Sequence, residues 1–141
     1  LKRLVYEYEK SMTERLPACS AEVGHLVSTY CTILDLKDIS IHSFYRVKNY
    51  VTSAASIGQD HCPGTMGKFY IINVLFLFTG VLWAVVKPCS DEATVVKLQV
   101  VGTKNKDALL AQIPETNQPQ SLGRSCQCPE GYHSLSDAPW N

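Results

Sequence analysis

Apolar side chains recur at Leu1, Leu4, Val5, Tyr8, Met12 and Leu16, three to four residues apart with charges between them. This spacing predicts one helix with a core-facing stripe, and Pro17 is expected to end it. From Leu26 to Leu36 the chain becomes β-branched, aromatic and nearly uncharged, the composition of a central strand covered on both sides. On a strand, Ser28, Tyr30, Thr32 and Leu34 share one face, and Thr29, Cys31, Ile33 and Asp35 the other. A second helix is expected from Ser43 as cap, with Phe44, Val47, Val51, Ala54 and Ala55 in one stripe and Gly58 near its end. Pro63-Gly64 marks a turn, and KFYIIN (68–73) reads as a second buried strand. Strand, helix and strand in that order favour a parallel sheet. KLQVVG (97–102) predicts a third strand and NKDALLAQI (105–113) a short helix stopped by Pro114, after which Pro, Gly, Ser and Gln predict mainly loops.

The run from Phe69 to Val86 contains no charged residue and is bracketed by Lys68 and Lys87. Its length meets the lower limit for a membrane-spanning helix. The competing reading cuts it into a strand up to Asn73 and a helix over 75–86, apolar nearly all round. Such a helix must face core or lipid.

The remaining composition narrows the choice. The chain has 141 residues, 45% of them hydrophobic, with 13 Lys plus Arg balancing 13 Asp plus Glu. One domain is expected, and zero net charge argues against a protein built to grip nucleic acid. Six Cys at 19, 31, 62, 89, 126 and 128 follow no signal peptide and are expected to be reduced thiols. Cys126-x-Cys128 with His133 lacks the second ligand pair of a zinc site, so no metal is expected. Asp35, Asp91 and Glu92 read as a strand-end carboxylate and helix-start charges, and no nucleophile elbow, phosphate loop or acid pair is present. No catalytic residue is assigned and an enzyme is not expected.

Four segments then carry a specific resemblance: EYEKSMTERLPACSAEVGHLVSTYCTILDLKDISI, PGTMGKFYIIN, DEATVVKLQVVG and LLAQIPETNQP. In this order and spacing they closely resemble the lipid-binding domain of the fungal phosphatidylinositol/phosphatidylcholine transfer proteins of the CRAL-TRIO family, over about residues 6 to 140. The closing LSDAPW is similar to the family's end of the domain. The resemblance implies an α/β fold whose mostly parallel sheet floors an apolar lipid pocket, covered by helices that include a gate helix at 75–86. It implies phospholipid exchange between membranes by a cytoplasmic monomer that visits Golgi or other endomembranes peripherally, with phospholipid as cargo and no cofactor. The family's N-terminal helical subdomain and first strand would precede Leu1, so residues 1–141 are expected to form a partial domain. Two other readings stand beside this one: a membrane protein with its span at 69–86, and a regulatory lipid-sensing module that does not exchange lipid.

The resemblance also suggests where pocket polarity lies. Tyr8, in EYE, matches a pocket-lining tyrosine, and Thr32 matches a threonine that contacts the phosphatidylcholine headgroup. Tyr30 stands where the family has serine, on the same strand face as Thr32. Its phenol would either fill headgroup space or donate a new hydrogen bond. Lys97 matches a lysine that contacts the inositol phosphate headgroup. Gly64 and Thr65 replace the glutamate and arginine of the family's P-E-R-x-G-K motif, and Leu75 and Leu77 replace Pro and Gly at the entry to the gate helix.

Overall fold

The computed structural model describes residues 2–40, 64–89 and 92–122, together with positions 42, 43, 45, 46, 49, 50, 52, 53, 56 and 57. Helix α1 (Lys2–Lys10) runs into α2 (Leu16–Val23) through one π-helical turn, Ser11–Arg15. The expectation that Pro17 ends this helix is therefore corrected. Pro17 falls in the first turn of α2, where its missing N–H costs little, and the widened turn upstream relieves the crowding a proline imposes on the preceding carbonyls. The true stop is Gly24, whose left-handed φ of 71° lets its N–H return to the Ser20 carbonyl. Ser20 Oγ then accepts the Val27 N–H at 2.9 Å, tying the following segment back to α2.

Three parallel strands follow: β1 (Tyr30–Asp35), β2 (Met66–Ile72) and β3 (Leu98–Val100), ordered β1-β2-β3. Among the described strands the centre is β2, not the segment 26–36 expected there. The reason lies in burial: Phe69, Tyr70, Ile71 and Ile72 are all buried, whereas Cys31 and Asp35 on β1 are exposed. The register slips between Tyr30 and Cys31, which pair with Met66 and Lys68 and leave Gly67 as the extra residue. A Cβ at Gly67 would lie 3.2 Å from the Thr29 side chain, so this position favours glycine for close approach.

Alternation along β2 divides the interior. Phe69 and Ile71 join Leu36, Val74, Leu82 and Leu98 on one face, with Leu34, Phe78, Trp83 and Val100 packed around them. Tyr70 and Ile72 join Leu109 on the other, with Ile33 and Val101 beside them. The first face is covered by α3 (Phe76–Val86), and the second by α5 (Lys106–Leu110). The long apolar run is thus a strand followed by an 11-residue helix of about 17 Å, against about 30 Å of bilayer hydrocarbon. Among the described residues no helix is long and apolar enough to cross a membrane.

Two further boundaries move. The described positions 42 to 57 are helical, but the cap is Ser40, whose Oγ accepts the Ser43 N–H at 3.3 Å. Lys97 ends helix α4 (Glu92–Lys97) instead of opening β3: glutamate at its start and lysine at its end both suit the helix dipole. The stripe residues Phe44, Val47, Val51, Ala54 and Ala55, together with Gly58, Pro63, Asp91, Cys126, Cys128, His133 and the LSDAPW end, lie outside the described residues.

The strand ends are joined by side chains. Asn73, with φ of 58°, donates from Nδ2 to Asp35 Oδ1 at 2.7 Å and accepts at Oδ1 from Asn105 Nδ2 at 3.0 Å. This chain ties β1, β2 and the β3–α5 connection together just before α3 begins. Asn73→Ala should lower unfolding free energy by about 2–3 kcal/mol in a urea titration, because both bonds are lost and alanine tolerates the left-handed conformation poorly. Asn73→Gly should cost less.

Candidate binding cavity

The continuous helix of 2–23 presents an unexpected face because of its π turn. In an unbroken α-helix, residues eight apart differ in direction by about 80°. The extra residue in the π turn makes Glu7 and Arg15 behave as if seven apart, about 20° out of line. They meet accordingly: Arg15 Nη2 lies 2.9 Å from Glu7 Oε2, and Nη1 donates to Ser11 Oγ at 3.4 Å. Tyr8 and Leu16 share this face, whereas Val5 and Met12 of the predicted apolar stripe are exposed.

Opposite stands β1. Residues 29–34 all border a cavity of about 550 Å³ between this strand and the helix, completed by Phe69 of β2 and by Tyr50. Consecutive strand residues point to alternate faces, so the cavity must run along the edge of β1 as well as over one face. Its size is that of a small-molecule pocket. Tyr8 and Tyr30 meet within it, ring centroids 5.8 Å apart and planes tilted by 43°. Thr32 lies on the same wall as Tyr30.

The structure therefore brings together three of the four residues singled out in the sequence. The fourth, Lys97, stands outside the cavity lining, half-buried at the end of α4. Glu7, Ser11, Arg15 and Tyr50 line the cavity without having been singled out. A strict helical repeat turns Arg15 away from Glu7, and no sequence signal marks a π turn. Only the shared neighbourhood of EYE and ERLP could have raised the question.

Cys31 also lines the cavity, and desolvation pushes its thiol above the ordinary range. At neutral pH it is protonated and poorly nucleophilic. Alkylation of Cys31 by iodoacetamide should keep accelerating beyond pH 9, since the thiolate forms later than in a free cysteine. Mass mapping of the modified peptide across pH 7–10 measures this.

Helix α3 adds the second half of the site. Leu82 is fully buried and belongs to the same apolar cluster as Phe69, a cavity residue. The start of the helix does the reverse: Phe76 is 91% exposed and Leu77 81%, beside exposed Leu75 and Val81. Two leucines and a phenylalanine adjoining in sequence and facing water form an apolar projection of the kind that marks an interaction surface.

Comparison with known proteins places this geometry. A Sec14 cytosolic factor of Schizosaccharomyces pombe is 48% identical over 142 residues, which span the whole of this chain and 49% of that protein. The SEC14 cytosolic factor of Yarrowia lipolytica is 45% identical over 99% of this chain and 28% of its own length. An Arabidopsis thaliana protein named phosphatidylinositol/phosphatidylcholine transfer protein SFH14 is 31% identical over the whole chain and 25% of its own length. The chain thus spans about half the length of these relatives, or less. The crystal structure of Sfh5 has the same fold, with a TM-score of 0.51 and 24% identity over 60% of this chain and 29% of that one. The model of the CRAL/TRIO domain matches residues 4–123, and with its parallel sheet, covering helices and cavity this chain belongs to the CRAL/TRIO domain family.

Proposed function

We propose that this chain supplies the lipid-holding part of a protein that carries phospholipid between membranes, with Tyr8, Tyr30 and Thr32 at the polar end of the cavity and α3 as its gate. The observation that carries this reading is the cavity, which at about 550 Å³ has room for part of a two-tailed lipid, joined through Phe69 to the cluster under a helix whose other end projects bare apolar side chains. The physical need is plain. A two-tailed lipid has roughly thirty methylenes, and leaving them in water costs on the order of 20 kcal/mol at about 0.8 kcal/mol each. A carrier must hide them in transit and open beside a bilayer, where an apolar helix end is favourably accommodated.

The name of the Arabidopsis thaliana relative supports this reading, and phosphatidylcholine and phosphatidylinositol are the first cargoes to test. Lys97 remains a candidate phosphate contact, separate from the cavity. The protein needs no cofactor for this work, acts as a monomer, and meets Golgi or other endomembranes only in passing from the cytoplasm. The deciding experiment is mass spectrometry of lipid that co-purifies with the protein, followed by transfer between donor and acceptor vesicles. Stoichiometric phospholipid with measurable transfer supports a carrier. Lipid that is retained but never transferred supports a lipid-sensing module, and an empty protein that moves no lipid defeats both.

A further inference from the structure

Asn105 stands at the start of α5, where an asparagine side chain commonly caps the N–H groups of its own helix, yet it makes no such bond. Its amide is turned away instead. Nδ2 donates to Asn73 Oδ1 at 3.0 Å and to the Gly102 carbonyl at 3.4 Å, from a residue that is only 9% exposed. Asn73 passes the connection on to Asp35 Oδ1, which also accepts the Lys37 N–H at 2.9 Å. The middle member carries the strain, since Asn73 holds a left-handed φ three residues before α3. The start of α3 is otherwise lightly held: Leu75 gives it no side-chain cap, Phe76 and Leu77 face water, and the Val74 N–H reaches the Val101 carbonyl at a long 3.4 Å. We infer that Asn105 is a positioning residue for lipid transfer: through Asn73 it holds the entry to α3 and so sets how often that helix leaves the sheet. The role rests on the carrier reading above, in which α3 is the gate.

The physical argument is one of restraint. A helix swings as a body only where a few residues at its end absorb the change in backbone dihedrals. Val74 is buried in the core cluster and Phe76 is already helical, so residues 73–75 are the place for that change. Asn73 adopts a conformation that asparagine tolerates but does not prefer, and it persists because bonds on both sides fix its side chain. Breaking the Asn105 bond frees one side and lets the entry relax. Asn105 lies outside the cavity lining, so its effect falls on opening and not on which lipid the cavity holds.

The test is Asn105→Asp, which keeps the shape and suits the N-terminal end of α5 but offers Asn73 an acceptor where it needs a donor. Asn73 can then turn its amide N–H toward one carboxylate only. The 141-residue chain should move radiolabelled phosphatidylinositol, from vesicles of equal phosphatidylcholine and phosphatidylinositol to unlabelled acceptors, about fivefold faster, the factor set by one ordinary hydrogen bond. The composition of the bound lipid should not change. Native-state hydrogen exchange at the Val74 and Phe78 amides should rise by a similar factor, while the Leu109 and Ala111 amides keep their rates. Asn73→Gly keeps the left-handed backbone without the amide and should act at least as strongly; adding Asn105→Asp to it should do no more, because Asn105 acts through Asn73. Transfer no faster than the wild type overturns the inference, as do additive effects in the double variant. Exchange that rises as much at Leu109 as at Val74 also overturns it, since that marks a staple of α5. If Asn105→Asp does not fold, Asn105→Ser, uncharged and too short to reach Asn73, takes its place. A wild type that moves no lipid defeats the carrier reading, and hydrogen exchange alone then decides whether Asn105 holds the entry to α3.

Discussion

Phe76→Asp is expected to slow vesicle-to-vesicle phospholipid transfer by about two orders of magnitude while leaving the melting temperature unchanged. Phe76 is 91% exposed, so the substitution removes almost no packing from the folded protein. At a bilayer the balance differs. Burying the ring there is worth about 1.5–3 kcal/mol, and a carboxylate in its place resists entry into hydrocarbon. About 2.7 kcal/mol corresponds to a hundredfold change in membrane occupancy. Leu82→Asp is the contrasting control: Leu82 is fully buried on the same helix, so a charge there should unfold the protein. Co-sedimentation with vesicles, transfer rates and thermal melts together separate the two positions. Transfer that survives Phe76→Asp unchanged would remove α3 from the membrane-contact role.

This division within α3 shows how far local patterning reaches. Hydropathy detects the unbroken apolar run but cannot divide it, because core and lipid select the same side chains. The division comes from the backbone: Asn73 adopts a left-handed conformation, Leu75 is extended, and the helix begins at Phe76. In β2 the sequence speaks more clearly. Four consecutive large side chains, Phe69 to Ile72, require cover on both faces, and helices α3 and α5 supply it. Lys97 is harder, since Val95 and Val96 favour a strand locally while the charges at the helix ends and the short β3 decide otherwise. Tyr8, Tyr30 and Thr32 could be found through family resemblance and strand alternation. The Glu7–Arg15 pair could not, because it exists only after the π turn shifts the helix by one residue.

Tyr30→Ser should raise phosphatidylcholine loading by at least about tenfold, equivalent to about 1.4 kcal/mol, when the protein is charged from mixed vesicles and its lipid is weighed by mass spectrometry. The ring of Tyr30 stands against Tyr8 inside the cavity, on the strand face that also carries Thr32. A phenol there occupies volume that a headgroup beside the threonine hydroxyl would need, and serine returns that volume while keeping a hydroxyl on the wall. The protein should be destabilised by about 0.5–1.5 kcal/mol through loss of the aromatic pair, so loading must be compared at a temperature well below the melt. Tyr30→Phe distinguishes the two actions of this residue. It keeps the ring and removes the hydroxyl, so loading should stay low if bulk excludes the headgroup. If the phenol instead holds the lipid through a hydrogen bond, Tyr30→Phe lowers loading further and Tyr30→Ser fails to raise it. The tilted packing of the two rings favours bulk: Tyr30 is braced by Tyr8, and a side chain held in that way cannot readily swing aside to admit a headgroup.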